Sequence, residues 1–343
     1  MRNDFKKIKT LHDLQSSFTI DTSVVEELTR QIEAQDRREN IQRFYDGYSV
    51  EDNFQSLFSV LPWVKLNHAL AQDQYPEESK EALQVPDFCL FYESADLKMK
   101  PLLIETKSVT ANKQSLELMA QQVKACEKYA NICGIPLLIA VYWKKYSLWT
   151  LNSVDQFSKK SKSYKISFKD AFTSNLSAIL GDFNLIFTAP IFRKTIFDSA
   201  SNKDTDIVHE IHGAVIEDQI SSDGISYMPL EMLESAIIDS FVTMKEIEVK
   251  KNGSKTEVIE RSTENHMSYL NTMILRHLGI TPGLGLTEYT AKVSLMLISQ
   301  LAMKLGIAKS LSIPRTRTNS SDTLFKDAFG GTSTWTDYLN FHR

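Results

Sequence analysis

Two acidic residues and a lysine lie in neighbouring apolar segments, in a pattern that favours catalysis. Asp87 belongs to the segment 85–92 (VPDFCLFY), whereas Glu105 and Lys107 belong to the segment 101–109 (PLLIETKSV). If the segments pair as a hairpin centred on residue 96, residue n lies opposite residue 192 − n, and Asp87 faces Glu105. Glu105 and Lys107 alternate with Thr106, so their side chains point to one face of the strand. The spacing therefore predicts a cluster of three charged groups.

The chemistry of this cluster follows from its charges. Two carboxylates that face each other across a hairpin destabilise it unless something compensates, and a hard divalent cation does so. Mg²⁺ prefers oxygen ligands and binds through one or two carboxylates together with water and substrate phosphate. A nearby lysine can orient or deprotonate a water molecule, or stabilise charge that develops on phosphorus. The pattern predicts a Mg²⁺ site, open also to Mn²⁺, that hydrolyses phosphodiester bonds. The competing interpretation is a structural ion pair on an edge strand, worth under about 1 kcal/mol.

The segments around these residues predict an α/β arrangement with a small mixed sheet. A helix is expected from Val50 to Phe58, capped by Ser49, and a short strand after Pro62. The apolar side chains Leu102 and Ile104 should face away from Glu105, where a helix can pack. The following segments are a helix over 111–135 with Gly134 at its C-cap, and strands over 135–143 and 146–151 joined by a turn at Lys144–Lys145.

Pro86-Asp87 followed by Glu105-Thr106-Lys107 resembles the PD-(D/E)xK nuclease superfamily, which includes restriction endonucleases and Holliday-junction resolvases. The resemblance covers roughly residues 45–151. It implies a restriction-endonuclease-like core, in which a mixed sheet is flanked by helices, and a C-terminal region of mostly helical α+β structure would follow. It also implies that Asp87 and Glu105 bind Mg²⁺ and that Lys107 assists the attacking water.

The resemblance implies two further site residues. Many members have an acidic residue on the helix before the sheet, and Glu51 is the candidate metal ligand here, with Asp52 as its competitor. Many members also carry a glutamine on the helix after the lysine, often as Gln-x-x-x-Tyr. Gln122, next to Gln121, is the candidate catalytic residue. The chain departs from that pattern, because Tyr129 lies seven residues after Gln122 instead of four.

A basic segment follows the predicted sheet. Residues 143–169 contain seven lysines and one acidic residue, Asp155. Five of these lysines are candidate contacts to the phosphate backbone of DNA: Lys144, Lys145, Lys159, Lys160 and Lys162. Four aromatic residues are interleaved with them and either stack on bases or belong to the core: Trp143, Tyr146, Trp149 and Tyr164. A solvated loop with core aromatics explains the segment equally well.

Other patterns carry weaker signals. His209 and His212 are a possible metal pair on a helix, although an ordinary histidine pair is favoured. Cys126 and Cys133 share a helix face and favour the core over a zinc site. Arg315 and Arg317 are a possible second nucleic-acid contact, for which a solvated loop is the favoured interpretation.

Composition sets the limits of these interpretations. The chain has 343 residues, a formal net charge of −4 and three cysteines, which indicates a globular protein of a reducing compartment. The net charge argues against a protein whose entire surface binds nucleic acid. We find no signal peptide and no apolar run of membrane-spanning length, and we therefore expect a cytoplasmic protein.

Together these observations predict a Mg²⁺-dependent DNA endonuclease. The expected units are a helical segment (1–45), a nuclease domain (46–170) and a C-terminal domain for recognition, dimerisation or partner docking (171–343). A homodimer is expected because cleavage of both DNA strands needs two active sites. Further partner subunits are an additional possibility that the sequence does not decide. Family resemblance alone suggests restriction, defence against foreign DNA or mobile-element processing. The alternative is a non-catalytic nucleic-acid-binding or assembly subunit with the same fold.

Overall fold

The computed structural model describes residues 2–72, 74, 76, 78–201, 208–209, 211–280, 285–311, 315 and 318–329. The N-terminal part contains α1 (Arg2–Ser17), α2 (Thr22–Arg30), α3 (Gln35–Glu39), α4 (Ile41–Phe58), β1 (Val64–Ala69), α5 (Ser79–Ala82), β2 (Phe88–Glu93), β3 (Met99–Val109), β4 (Ser115–Met119), α6 (Ala120–Cys133), β5 (Leu137–Trp143) and β6 (Leu148–Ser153). Glu105 and Lys107 of the predicted charged cluster lie on β3, and Asp87 immediately precedes β2.

The rest of the chain is richer in strands. It contains β7 (Ser158–Lys159), β8 (Ser163–Ser167), α7 (Phe168–Thr173), β9 (Asn184–Phe187), β10 (Phe192–Asp198), β11 (Val208–His209), β12 (Gly213–Ser221), β13 (Met228–Pro229), α8 (Met232–Phe241), β14 (Met244–Asn252), β15 (Lys255–Ser262), β16 (His266–Tyr269), α9 (Leu270–Ile280), α10 (Glu288–Lys304), β17 (Ala308–Ser310) and α11 (Asn319–Phe329). None of the helices in the described ranges is long and apolar enough to cross a membrane.

The central sheet has five strands in the order β1-β2-β3-β5-β6. Strands β3 and β5 run parallel, and the other neighbours are antiparallel. Phe88 pairs with Ile104 and Glu93 pairs with Met99, as the rule 192 − n predicts. The predicted fold class is therefore confirmed: this is a mixed sheet flanked by helices, consistent with a restriction-endonuclease-like core.

Helices cover both faces of this sheet. On one face, α4 buries Phe54 and Phe58 against Ile104 and Trp149, with the Phe54 and Trp149 ring centroids 5.3 Å apart. On the other face, α6 buries Val123 in a second apolar cluster. The side chains of Glu105 and Lys107 share the second face because they alternate with Ile104 along the strand.

Several local predictions are wrong. Helix α4 begins at Ile41, so Ser49 lies inside it and caps nothing. The helix expected over 111–135 begins only at Ala120, because Ser115–Met119 forms a strand whose Leu116 and Leu118 alternate inward. Gly134 does end this helix, in the left-handed conformation (φ +65°) that glycine adopts without strain.

Two weaker predictions were also tested by the fold. His209 lies in the short strand β11, so the two histidines do not share a helix. Cys126 is buried as predicted, whereas Cys133 is exposed. Of the two arginines proposed as a second nucleic-acid contact, Arg315 is exposed and residue 317 lies outside the described residues.

The C-terminal half adds a six-stranded antiparallel sheet and helices α8 to α11. The sheet order is β11-β12-β10-β15-β14, with β13 beside β12. Strands β14 and β15 form a hairpin, whose pairing extends from the turn at Asn252–Lys255 back to Met244. Two sheets of three strands, β16-β9-β17 and β4-β8-β7, complete the described architecture.

One apolar core joins the two halves of the chain. The cluster that contains Phe54, Ile104 and Trp149 also contains Ile274 of α9 and Leu301 of α10. The predicted boundary at residue 170 thus separates segments that share buried side chains. The three-domain division remains a prediction.

Candidate active site

The backbone and side chain of Thr106 hold the carboxylate of Asp87. Asp87 immediately precedes β2 and is partly buried. Its Oδ2 accepts hydrogen bonds from the Thr106 amide and from the Thr106 hydroxyl, each 2.7 Å long. Its carbonyl oxygen accepts a hydrogen bond from the amide of Leu70 at 2.8 Å. Asp87 is therefore fixed at the start of β2 beside the centre of β3.

Glu105 and Lys107 form a close pair on the α6 face of β3. Lys107 Nζ donates to Glu105 Oε1 over 2.6 Å and to the carbonyl oxygen of Thr106 over 2.8 Å. Gln84 Nε2 also donates to Glu105 Oε1, over 3.2 Å. The Glu105 side chain is 4% exposed and that of Lys107 is 24% exposed. The pair lies mostly out of water, where an ionic interaction is stronger than on the surface.

Burial and neighbouring charges set the protonation of this pair. Burial raises the pKa of Glu105 to about 7; the Lys107 ammonium opposes the rise, and the Asp87 carboxylate adds to it. Burial by itself would lower the pKa of Lys107, but Glu105 and Asp87 more than compensate, so the pKa of Lys107 is raised. Lys107 therefore stays an ammonium at neutral pH.

Glu51 and Asp52 of α4 point to different neighbours. Burial raises the pKa of Glu51 to about 8, and the charge of Asp87 raises it further, whereas Lys9 and Lys107 lower it. Asp52 instead lies on the side of α1, with Oδ1 4.0 Å from Lys9 Nζ and Oδ2 3.9 Å from His12 Nδ1. Glu51 therefore interacts electrostatically with the Asp87 carboxylate.

The oxygen atoms left over suit a hard cation. Within the described residues, Glu105 Oε2 is buried without a hydrogen-bond partner, although the Cys126 thiol lies close enough to the carboxylate to affect its pKa. Asp87 Oδ1 likewise makes no hydrogen bond to the described residues. No group of three or more His, Cys, Asp or Glu side chains in the described ranges is arranged to hold a metal. Two free carboxylate oxygens nevertheless match Mg²⁺, which needs only one or two carboxylates.

A cavity of about 450 Å³ opens beside this pair and is lined by glutamines. Gln84 joins the cavity to Glu105, and Gln121 and Gln122 line its α6 side. The cavity thus places Gln122 in the neighbourhood of the pair, but the structure records no hydrogen bond between Gln122 and either residue.

Sequence reasoning missed Gln84 and the hydroxyl of Thr106 as partners of the carboxylates. Gln84 lies three residues before Asp87. No sequence signal marks it, because its contacts are with residues far apart in the chain: its backbone N–H donates to the carbonyl oxygen of Ala125 in α6, and its side chain donates to Glu105. For Thr106, alternation along β3 predicts only that the side chain faces away from Glu105.

The five candidate DNA-contacting lysines are exposed and fall into two groups. Lys144 and Lys145 form a turn after β5, next to Tyr146, whose hydroxyl donates to Gln114 just before β4. The other three, Lys159, Lys160 and Lys162, lie at the β7–β8 turn, where the Lys162 carbonyl oxygen accepts from the amide of Ala120 at the start of α6. Strand β4 separates the two groups, which lie at its opposite ends.

The aromatic residues between these lysines mostly belong to the core. Trp143 and Trp149 are at most 1% exposed, and Tyr164 is 8% exposed. Base stacking by these three is excluded in this fold. Tyr146 alone of the four is partly exposed.

Comparison with known proteins adds little to this geometry. No sequence model of a known family matches the chain, and no curated protein matches it. The solved structure of a Holliday junction resolvase, Hjc from the archaeal hyperthermophile Archaeoglobus fulgidus, aligns over 35% of this chain and 88% of that chain. The aligned residues are 18% identical, with a TM-score of 0.26. At this level of similarity the interpretation of the site depends on its own geometry.

Proposed function

We propose that the protein is a divalent-metal-dependent nuclease that hydrolyses phosphodiester bonds in DNA. One observation carries the proposal: the protein holds one oxygen of each of Asp87 and Glu105 next to the Lys107 ammonium, and the other oxygen of each has no hydrogen-bond partner among the described residues. Burying the Glu105 carboxylate with one unpaired oxygen costs free energy, which a cation held jointly with the partly buried Asp87 would offset. Glu51 is proposed as a further ligand and Gln122 as a further catalytic residue.

The residues of the chain would divide the work as follows. Asp87 and Glu105 would hold Mg²⁺ or Mn²⁺, which when bound activates water and withdraws charge from the phosphate. Because Lys107 keeps its proton, it is suited to stabilise negative charge on phosphate oxygen and to orient a water molecule, and not to act as a general base. Thr106 holds Asp87 and Gln84 holds Glu105, which limits the reorganisation needed when metal and substrate bind.

Plasmid cleavage tests this proposal directly. The purified protein is incubated with supercoiled plasmid and Mg²⁺ or Mn²⁺, beside the variants Asp87→Asn, Glu105→Gln and Lys107→Met. Each variant should lose cleavage by about 100-fold or more, because each removes a charge from the reacting centre. Lys100→Met is the matched control, since Lys100 lies on the same strand, β3, and pairs across from Tyr92, away from the site.

The outcomes separate the two candidate functions. Circular dichroism and thermal melting would establish that each variant is folded. Cleavage that persists in all three variants would show that the activity lies elsewhere or belongs to a contaminant. A folded protein that binds DNA but cuts neither plasmid nor branched DNA with either metal would favour the non-catalytic binding subunit. The homodimer and any partner subunit are further proposals, which light scattering with and without DNA would test.

A further inference from the structure

A second cavity lies where the turn after β5 meets the C-terminal half of the chain. Its volume is about 200 Å³. Five of the side chains that line it define what we call the Tyr146–Arg276 pocket: Tyr146, Phe187, Phe241, His266 and Arg276. Pockets for drug-sized ligands occupy about 300–1,000 Å³, so this one is suited to a smaller flat group.

Aromatic rings form much of the pocket wall. Tyr146 is held in place by stacking on Phe168, with centroids 4.0 Å apart, and by the hydrogen bond from its hydroxyl to Gln114. Phe241 lines the pocket as well and is partly exposed, whereas Phe187 is 1% exposed and offers no ring face for stacking. A flat ring of a ligand gains stacking energy on such side chains whatever its substituents.

Cationic and unpaired polar groups surround these rings. The Arg276 guanidinium lies 5.6 Å from the Phe241 ring centroid and makes no ion pair with the described residues. Lys145 Nζ lies 5.7 Å from the Tyr146 centroid. His266 Nε2 is buried without a hydrogen-bond partner among the described residues. None of the described residues that line the pocket is acidic. The ligand is therefore expected to be aromatic, to form hydrogen bonds and to carry negative charge nearby.

The position of the pocket relates it to the candidate active site. Val141 of β5 pairs with Lys107, and Lys144 lies three residues further along the chain. At a rise of about 3.3 Å per residue, the lysine turn begins about 10 Å from that pair. Phosphates on one strand of B-form DNA are spaced by about 3.4 Å along the axis, so this distance spans about three nucleotides.

We infer that the Tyr146–Arg276 pocket binds one unpaired nucleobase of a DNA strand, with Lys144, Lys145 and Arg276 next to its phosphates. The inference depends on the proposed function, because it takes DNA as the substrate. It goes further by naming the preferred substrate class: DNA with a single-stranded or unpaired nucleotide near the cleavage site. Removing a base from a duplex costs a few kcal/mol, so a base that is already unpaired is selected.

Binding measured without cleavage tests this inference. Fluorescence anisotropy in Ca²⁺ compares a short single-stranded DNA with a blunt duplex of the same sequence, for the wild type, Tyr146→Leu and Arg276→Gln. Both variants should bind the single strand about tenfold more weakly, because one loses stacking and the other loses a cation beside the phosphates, and both should bind the duplex as the wild type does. Tyr289→Leu is the control, since Tyr289 is 77% exposed and does not line the pocket.

Photo-crosslinking gives a second readout that does not depend on a substitution. A single-stranded DNA with 5-iododeoxyuridine should crosslink to Tyr146 or Phe241, as identified by mass spectrometry. The inference would be overturned if both variants bound the single strand as the wild type does, or if they lost as much affinity for the duplex. It would also be overturned by crosslinks that map to other residues, or by tighter binding of RNA than of DNA. If these binding tests succeed but plasmid is never cut, the proposed nuclease function fails and the proposed base-binding pocket stands. If plasmid is cut but the binding tests fail, the nuclease function stands and the base-binding pocket fails.

Discussion

At Glu105, burial and a neighbouring ammonium act on the same carboxyl group in opposite directions. Burial disfavours the charged form, whereas Lys107 at 2.6 Å favours it, and the pKa is still raised to about 7. Glu51 has its pKa raised to about 8 by burial and by the charge of Asp87. A raised carboxyl pKa means that the folded protein keeps its proton at a higher pH than the unfolded chain. Without metal, both groups are thus largely protonated at pH 6.

Because the proposed metal ligands Glu105 and Glu51 are protonated at low pH, the binding of a metal ion should depend on pH. A cation must displace the protons of Glu105 and Glu51, so its affinity should rise with pH from 6 to about 8 and then level off. Calorimetry with Ca²⁺ should give a dissociation constant at least about tenfold higher at pH 6 than at pH 8.5. Glu51→Gln should make the dependence shallower, whereas Glu93→Gln on β2 should not. An affinity that is equal at both pH values would contradict the assignment of these ligands.

At the scale of single elements, β6 is the edge strand of the five-stranded sheet, and side chains complete its open edge. Asn271 of α9 accepts from the Trp149 amide at 3.1 Å and donates to the Trp149 carbonyl oxygen at 3.3 Å. It also donates to the buried Asp182 at 2.6 Å. A buried edge strand with unpaired backbone groups would be costly, and these bonds remove that cost.

Loss of this amide should destabilise the whole protein. Asn271→Leu keeps the volume of the side chain but leaves the backbone groups of Trp149 without these partners and removes one of the two hydrogen bonds to Asp182 Oδ2, so unfolding free energy should fall by about 3 kcal/mol. Asn265→Leu is the matched control, since the exposed Asn265 accepts one backbone hydrogen bond, from Ala189 at 2.8 Å. Its cost should stay below about 1 kcal/mol. Urea unfolding measures both, and equal costs would show that the β6 edge needs no such cover.

At the scale of the whole molecule, the sheet that carries the candidate site is covered by the C-terminal half. Helices α9 and α11 contact β6, and α10 contacts α4. Ile274 and Leu301 are fully buried in the same cluster as Ile104 and Trp149. We propose that residues 171–343 support the five-stranded sheet in addition to any role in recognition or docking.

Separate expression of the parts tests this proposal. A fragment of residues 46–170 would keep most of α4 but lose the C-terminal part of the shared apolar cluster, including Ile274 and Leu301, and we expect it to aggregate or to unfold without a cooperative transition. Co-expression with 171–343 should restore a soluble complex. Circular dichroism and urea titration would follow the transition. A fragment that unfolds cooperatively by itself would instead establish residue 170 as a domain boundary.

Much of the central sheet could be predicted from the sequence. The lengths of the apolar segments set the β2–β3 pairing and its register, and alternation along β3 put Glu105 and Lys107 on one face. These features are local, because hairpin pairing and strand alternation involve residues close in the chain. The start of helix α4 was mispredicted, and strand β4 was mispredicted as the first part of the next helix, since Leu116 and Met119 fit helical spacing with Val123 as well as strand alternation.

The environment of the charged groups was decided only by tertiary structure. Asn271 and Trp149 are 122 residues apart in the chain, and Gln84 and Glu105 are 21 apart. The Tyr146–Arg276 pocket likewise takes its walls from segments that no sequence motif connects. The sequence thus specified which charges share a strand, because chain geometry alone imposes that. Folding of distant segments decided which groups are buried, which oxygens stay unpaired and which pKa values shift, because burial depends on the elements that pack around a side chain.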